Sequence, residues 1–216
     1  MRESTGEDRK PNLRVVFDRR LKLEFHGSRV TSDAGLLAFR ELDEALGLTE
    51  MADDVFLETR TGRNGRHSLT AQLRQAVFGR LAGYEDVNDA DRLGLDPAMR
   101  WIIGGRAVEE RGASTSQMGR FETVAMTEEC NLRALADLSG QWIDRARSRR
   151  PSKTLILDMD SSVSPTFGDQ EGTAYNGHFE CTCYHPLFIF NQHGDLERCE
   201  LRARQRPQRA RVAGGA

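Results

Sequence analysis

The chain has 216 residues, enough for one domain of ordinary size or two small ones. Its formal net charge of -2 gives no average attraction to nucleic acid or membranes, and no apolar run reaches the roughly 18 residues of a membrane span. Four cysteines at uneven spacing make a poor disulfide framework, and the polar N-terminus carries no signal-peptide core, so we expect a cytoplasmic protein.

The first two thirds of the chain are predicted to be mainly helical. Apolar residues recur at helical spacing after Ser32 or Asp33, either of which suits the N-cap, and Gly47 lies near the end of that helix. Ser68 is predicted to cap the next helix, and Pro97 suits the first turn of a third. In order, the predicted elements are strands at 13–17 and 21–25 and helices at 32–47, 69–81, 97–103, 112–125 and 128–150.

The character of the chain changes after the basic segment 145–153. The apolar run 153–160 predicts a buried strand, and 183–201 predicts two strands around the turn "NQHGD". The last part, 203–216, has one large aliphatic residue, no aromatic and no acid, so no core element is expected there. We therefore predict an α+β chain in four parts, namely a tail with a hairpin (1–29), a helical, DNA-binding region (30–150), a strand-rich region (151–202) and a basic, disordered tail (203–216).

Two aspartates stand at the end of the predicted strand 153–160. Asp158 and Asp160 are two residues apart, so both carboxylates project from the same face. Two like charges at this distance repel unless a cation or a proton intervenes, and Mg²⁺ binds through one or two carboxylates while keeping several waters. The pair is therefore either half of a Mg²⁺ site or a polar strand end without chemistry.

The same stretch also fits the pattern of haloacid-dehalogenase phosphatases, in which Asp158 would be the nucleophile and Asp160 the general acid. Those enzymes need a cationic residue and a further acidic motif on later strands of a parallel sheet. Here a Gly-rich loop and an antiparallel hairpin follow instead. We therefore reject the phosphatase interpretation.

Two further clusters invite a metal assignment. His178, Cys181, Cys183 and His185 are potential zinc ligands, but their spacing is not a common one for zinc fingers. Buried cysteines and a polar histidine on the floor of an active site are the preferred interpretation. The acidic segment 83–92 lacks the glycine and the closing glutamate of a calcium loop, so helix capping and turn roles are expected for its acids.

Basic residues supply the candidates for DNA contact. Arg120 lies on a predicted helix that either reads DNA or packs through Met118 and Phe121 as an ordinary amphipathic helix. The basic segment 145–153 either follows a phosphate backbone or is a solvated linker. The candidate DNA-binding residues are Arg120, Arg145, Arg147, Arg149, Arg150 and Lys153.

Residues 157–197 resemble the DDE transposases of bacterial insertion sequences, specifically the insertion-sequence 1380 family. The resemblance is carried by Asp-x-Asp-Ser-Ser-Val, by the loop Gly-x-Gln-Glu-Gly-x-x-Tyr-Asn-Gly-His, and by Cys-Tyr-His-Pro-Leu-Phe followed by Asn-Gln-x-Gly-Asp. The helical region is similar to that family as well, for example in "SDAGLLAFRELDEALGL" and "QMGRFE". The resemblance extends from about residue 13 to residue 202.

This resemblance implies an RNase-H-like (α/β) catalytic domain whose first strand ends in the first acid of an Asp-Asp-Glu triad. It points to Asp160 as that catalytic acid and metal ligand, with Asp158 as the reserve. A full triad would hold two Mg²⁺ ions that activate water, and then a DNA 3'-hydroxyl, for attack on phosphodiesters. The implied partners are DNA with terminal inverted repeats and either a second copy of the chain or an intact transposase.

The chain departs from the family after residue 202, because the second Asp and the Glu are expected on later strands. Relatives continue with sequence such as Arg-Pro-Gly-Asn-Val, and codons for Pro-Gly-Asn-Val shifted by one base encode Ala-Arg-Gln-Arg, which is residues 203–206 here. We therefore predict an out-of-frame tail and a truncated transposase that is inactive alone. The alternative is a non-catalytic DNA-binding or transposase-pairing fragment that inhibits an intact enzyme.

Overall fold

The computed structural model describes residues 13–14, 16–18, 20, 22–23, 31–61, 65–148, 153–168 and 170–201. The chain divides into two compact units, a helical unit (Met1–Leu138) and a strand unit (Ser139–Ala216). This mixture of helices and small antiparallel sheets confirms the α+β prediction at the level of element content. Within the described ranges, no helix combines the length and the apolar character that a membrane crossing requires.

The helical unit begins with a short antiparallel ladder and continues as a series of helices. The strands β1 (Leu13–Arg14) and β2 (Lys22–Leu23) form the predicted hairpin over a shorter range. The helices are α1 (Leu36–Leu46), α2 (Leu48–Val55), α3 (Leu69–Leu81), α4 (Ala90–Leu93), α5 (Pro97–Ile103) and α6 (Thr115–Arg120). Helix α7 (Glu129–Arg147) begins in this unit, and its residues from 139 onward belong to the strand unit. A 3₁₀ turn spans Gly105–Val108, and α6 continues into a π-helical turn over Phe121–Ala125. The sequence did not predict α2, which starts directly after the left-handed Gly47.

Side-chain caps define several of these helices. Ser68 accepts a hydrogen bond from the Ala71 amide at the start of α3, as predicted. Ser114 and Gln117 form a capping box at α6. The prediction of Ser32 or Asp33 as the cap of α1 is wrong, because the helix begins after Gly35 with no side-chain cap.

The predicted apolar face of α1 is partly exposed. Phe39 and Leu42 are 52% and 49% exposed, whereas Arg40 and Asp43 on the same helix are buried. The buried charges are paired, because Arg40 Nη1 lies 3.1 Å from Asp43 Oδ2. Asp43 also accepts hydrogen bonds from the amide of Thr49 at 2.9 Å and from its hydroxyl at 2.6 Å. This network, together with the buried Leu36 and Leu37, fixes which side of α1 faces the interior.

Two apolar clusters form the interior of the helical unit around α3. The first includes Leu36, Leu37, Phe78, Met99, Ile102 and Ile103. The second includes Ala52, Leu69, Leu73, Met118, Phe121 and Leu138. Since α3 contributes to both clusters, it is the central helix of this unit.

The strand unit contains two small antiparallel sheets. Its strands are β3 (Leu157–Ser161), β4 (Ser164–Pro165), β5 (Ala174–Asn176), β6 (Cys181–Tyr184), β7 (Pro186–Asn191) and β8 (Leu196–Leu201). One sheet has the order β3-β7-β8 and the other the order β4-β6-β5. The predicted hairpin is present as β7 and β8, and Gly194 at φ 83° supplies the left-handed residue of its turn.

The prediction of a buried strand at 153–160 is wrong. Every residue of β3 is exposed, including Leu157 at 51% and Met159 at 69%. The physical reason is its place in the sheet, since β3 is an edge strand that pairs only with β7 among the described strands. An apolar composition predicts that a strand can be buried, but burial also requires a covering element.

Candidate functional site

The two aspartates lie side by side along the exposed edge of the β3-β7-β8 sheet. Asp158 is opposite Phe190, and Asp160 is opposite Phe188, in the antiparallel register of β3 and β7. Cross-strand neighbours share a face, so both carboxylates stand beside the two phenylalanine rings, whose centroids are 6.2 Å apart. Both aspartates are exposed to solvent.

Strand β3 is held in place by backbone pairing and by one side chain of the β7–β8 turn. The Gln192 side chain accepts a hydrogen bond from the Ile156 amide at 3.0 Å and donates one to the Thr154 carbonyl at 3.0 Å. At the other end, the Ser162 amide donates to the Pro186 carbonyl at 3.0 Å. These contacts fix the direction in which Asp158 and Asp160 project.

The carboxylate pair fits part of a Mg²⁺ site. Mg²⁺ prefers oxygen ligands and binds through one or two carboxylates while retaining waters, which two acids on one strand face can provide. Over the described parts of the chain, no group of three or more His, Cys, Asp or Glu side chains is arranged to hold a metal ion. Asp158 and Asp160 would therefore supply two ligands and leave the rest of the coordination to water or to other groups.

The cysteine and histidine cluster lies on the second sheet of the strand unit. Cys183 is buried, and its Sγ lies 3.3 Å from His185 Nε2, so the two side chains meet although His185 follows the end of β6 and is not in a strand. The same histidine nitrogen is 3.2 Å from Asn176 Nδ2. Burial, followed by the neighbouring Cys181, raises the pKa of the Cys183 thiol, which favours the neutral form over a metal-binding thiolate. His178 is exposed and packs edge-on against Phe179.

The predicted basic DNA contacts have different environments. In the strand unit, Arg147 forms an ion pair with Asp195, with an Nε–Oδ2 distance of 3.2 Å, and this guanidinium lowers the pKa of that carboxyl. Arg145 and Lys153 are exposed, and Arg149 and Arg150 lie outside the described residues. Arg147 thus already has an intramolecular partner, whereas the side chains of Arg145 and Lys153 face solvent.

Arg120 belongs to a group of cations that the sequence did not bring together. It is exposed on α6, where its Nη1 donates to Ser116 Oγ at 3.1 Å. A groove of about 940 Å³ is lined by Arg120 together with Arg66, Arg106, Arg111 and His67. These residues are separated by up to 54 positions, from Arg66 to Arg120, so no local run of basic residues signals the groove.

The family model described as Transposase DDE domain group 1 matches residues 13–214. This chain therefore belongs to that family of DDE transposases. Searches of the curated proteins and of the solved structures find no match. The matched range includes 203–214, the segment for which an out-of-frame tail is predicted, and that tail stays a prediction.

Membership of this family implies a general type of substrate and cofactor. A DDE transposase acts on DNA, and the family generally uses a divalent metal ion. The insertion-sequence 1380 assignment, the RNase-H-like fold and the individual roles of Asp158 and Asp160 are finer statements that stay predictions.

Proposed function

We propose that this chain takes part in DNA transposition and that Asp160 is the first acidic ligand of its Mg²⁺-dependent phosphodiester chemistry. Family membership supports the reaction class. The observation that carries the residue assignment is the pair of exposed carboxylates on one face of β3, at an open sheet edge. Asp158 is the reserve ligand, because it projects from the same face two residues earlier.

The residues around the proposed metal site would each have a separate role in that chemistry. A bound Mg²⁺ would activate an attacking oxygen and neutralise charge on the phosphate. Asp160 would hold the ion, and Asp158 would hold it directly or through a water. The β7 ladder and Gln192 would keep both acids on the exposed face, where a DNA backbone has room to approach.

We further propose that the isolated chain does not complete cleavage and strand transfer. Two carboxylates from one strand leave most of the metal coordination to water, and the described residues place no third acid with them. A two-metal phosphoryl-transfer site needs ligands that fix both ions relative to the attacking and leaving oxygens. The expected result is no Mg²⁺-dependent cleavage of insertion-sequence ends by the 216-residue chain.

Metal binding can be tested without activity. Added Mn²⁺ should broaden the amide signals of residues 157–161 by paramagnetic relaxation in NMR spectra of the wild-type chain. The isosteric change Asp160→Asn should abolish most of this broadening, and Asp158→Asn should reduce it less. Equal broadening in wild type and D160N would remove Asp160 from the site, and robust DNA cleavage by the isolated chain would contradict its proposed inactivity.

A second candidate function is a fragment that pairs with an intact transposase and inhibits it. The favouring observation is the edge of β3, which has no second partner strand among the described residues and exposes Met159, next to the exposed Leu155 and Ile156. Such an edge can accept a strand of another chain. Mixing this chain with an active family member should then lower strand transfer, whereas Met159→Lys should restore it; no inhibition at excess fragment would reject this function.

A further inference from the structure

The helical unit contains a strongly basic groove, called here the arginine groove and defined by Arg66, Arg106, Arg111, Arg120 and His67. It lies among the loop at 65–67, the 3₁₀ turn Gly105–Val108 and helix α6, and it has a volume of about 940 Å³. None of the described residues that line it is acidic. It is thus a cavity of one charge sign within a chain whose total formal charge is -2.

Buried side chains of α3 hold the segment that lines one side of the groove. The side chain of Gln75, on α3, donates to the Ala113 carbonyl at 2.8 Å and accepts from the Ala113 amide at 2.8 Å. Gln72, also buried on α3, donates to the Gln117 carbonyl at 3.2 Å. These bonds fix the segment that carries Arg111 and leads into α6, because a buried amide is stable only when it is hydrogen-bonded.

Close packing also fixes this segment at Gly112, which lines the groove. A Cβ atom there would lie 2.8 Å from Ile103 Cδ1 and 2.9 Å from the Gly94 Cα. The backbone therefore approaches its neighbours more closely than any side chain would allow. The backbone position of Arg111, directly before Gly112, is consequently set by close packing.

The arginines of the groove carry more positive charge than the fold neutralises. Arg66 pairs with Glu110 and Arg111 with Asp91, while Arg106 and Arg120 form no ion pair with a described carboxylate. Four arginines against two carboxylates leave an excess of two positive charges. Both ion pairs are largely solvent-exposed and contribute only about 0–1 kcal/mol, so an incoming anion can compete for their arginines.

The surroundings of His67 show that the positive charges of the groove lie close together. Its side chain is buried at the floor of the groove. Burial lowers the pKa of His67, and the charges of Arg66 and Arg106, followed by Arg60 and Arg111, lower it further. Four guanidinium groups therefore act on one buried imidazole, and an anion in the groove would face the same converging field.

The basic surface extends beyond the groove. Arg120 also lines a second, smaller hollow of about 90 Å³, together with Arg60. Arg60 is held there by Glu58 and by the His67 carbonyl, to which its Nη2 donates at 2.9 Å. Arg120 thus lines both hollows, which suits an extended polyanion better than a single phosphate ion.

We propose that the arginine groove binds the sugar-phosphate backbone of double-stranded DNA. Guanidinium groups match phosphate oxygens in two-point hydrogen bonds, and neutralising phosphates releases counterions from the duplex. This site needs neither Asp160 nor a metal ion, and it rests on the proposed function only for the choice of DNA as the polyanion. The helical unit would therefore hold DNA through a surface that is separate from the acids of β3.

Binding should be measured by fluorescence anisotropy with the full chain, a labelled DNA duplex and EDTA in the buffer. Arg106→Gln with Arg120→Gln should lower affinity about tenfold at low salt, and the slope of log K against log salt should decrease by about 0.9 for each lost phosphate contact. The matched control is Arg80→Gln with Arg133→Gln, which removes the same charge from exposed arginines outside the groove. That control should change affinity by less than about twofold.

Further variants distinguish two-point contacts with phosphate from simple charge attraction. Arg106→Lys with Arg120→Lys should keep most of the salt slope while losing affinity, because lysine keeps the charge but not the two-point geometry. DNA binding is measured in EDTA and metal binding by Mn²⁺ broadening at residues 157–161, so failure of the metal site and failure of the groove give different results. Thermal melting checks that each variant is folded.

Three outcomes would overturn the proposal. Equal losses for the groove variant and the matched control would show that only total charge matters. Unchanged affinity in the folded groove variant would remove these residues from the contact. Inorganic phosphate that shifts the NMR signals of the groove, while duplex DNA at the same ionic strength does not, would assign the groove to free phosphate.

Discussion

The helical unit and the strand unit use different forces to hold their structure. Apart from Cys183, all the buried apolar residues among the described ones lie in the helical unit, around α3. The strand unit relies on backbone ladders, and its edge strand β3 is exposed along its whole length. Its candidate catalytic acids therefore stand on the less protected unit, while the arginine groove stands on the packed one. Stability and metal chemistry are thus assigned to different parts of the chain.

The largest expected effect is a difference in amide hydrogen exchange between the two units. Amides of α3 should exchange only through opening of the packed unit, at a cost close to its global stability, typically about 5–15 kcal/mol. Amides of β3 should exchange through local fraying at a cost near zero to a few kcal/mol. Hydrogen exchange measured by mass spectrometry or NMR gives the opening free energies of both elements. Equal protection of α3 and β3 would contradict the difference in packing between the two units.

The next effect concerns the buried ion pair of α1. Asp43→Ala should lower the free energy of unfolding of the helical unit by about 3–5 kcal/mol, because it removes the buried partner of Arg40 and Thr49 and leaves Arg40 only the half-exposed Glu44. Urea denaturation followed by the helical circular dichroism signal measures this loss. The control is Glu129→Ala, which removes an exposed ion pair with Arg133 and should cost within about 0.5 kcal/mol. A similar loss for both variants would mean that the network does not hold α1.

A smaller effect is expected from the pH dependence of the helical unit. The pKa of His67 is lowered in the folded state from its ordinary value of 6.5, so the unfolded chain binds the proton more readily. This contribution to stability is present above about pH 6.5 and is lost as the pH falls through that value toward the lower folded pKa. Unfolding midpoints measured across this range should decline on acidification.

The His67→Gln variant isolates this contribution. It removes the titrating group, so the decline in unfolding free energy between neutral and mildly acidic pH should become shallower. NMR titration of the imidazole checks the direction of the pKa shift independently. A His67 pKa at or above its ordinary value would contradict the burial of this imidazole among the arginines of the groove.

Local patterns in the sequence predicted the helices well because turn residues and apolar spacing act over a few positions. Ser68 caps α3 and Gly194 forms the β7–β8 turn as expected. Burial was less predictable, since Arg40 faces inward while Phe39 faces solvent. That choice depends on Thr49, in the next helix, which no periodicity within α1 contains.

The candidate site residues show the same difference between local relations, which the sequence reveals, and contacts between distant residues, which it does not. Asp158 and Asp160 were found from sequence because their relation is local, two positions along one strand. The arginine groove was missed, apart from Arg120, because its cations come from separate loops and helices that only the fold brings together. Only a run of basic residues would have indicated the groove from sequence, and the arginines that line it do not form one.

The smallest change in the free energy of unfolding is expected at β3, because an exposed edge strand has few buried contacts to lose. Met159→Lys changes a side chain that is 69% exposed, so the free energy of unfolding should move by no more than about 0.5 kcal/mol. Self-association should nevertheless decrease, since a lysine on an edge strand opposes pairing with another chain. Light scattering at increasing concentration, compared with urea denaturation of the same variant, separates the two quantities. A large loss of stability would show that β3 is covered in solution, and the weak packing assigned to the strand unit would then be wrong.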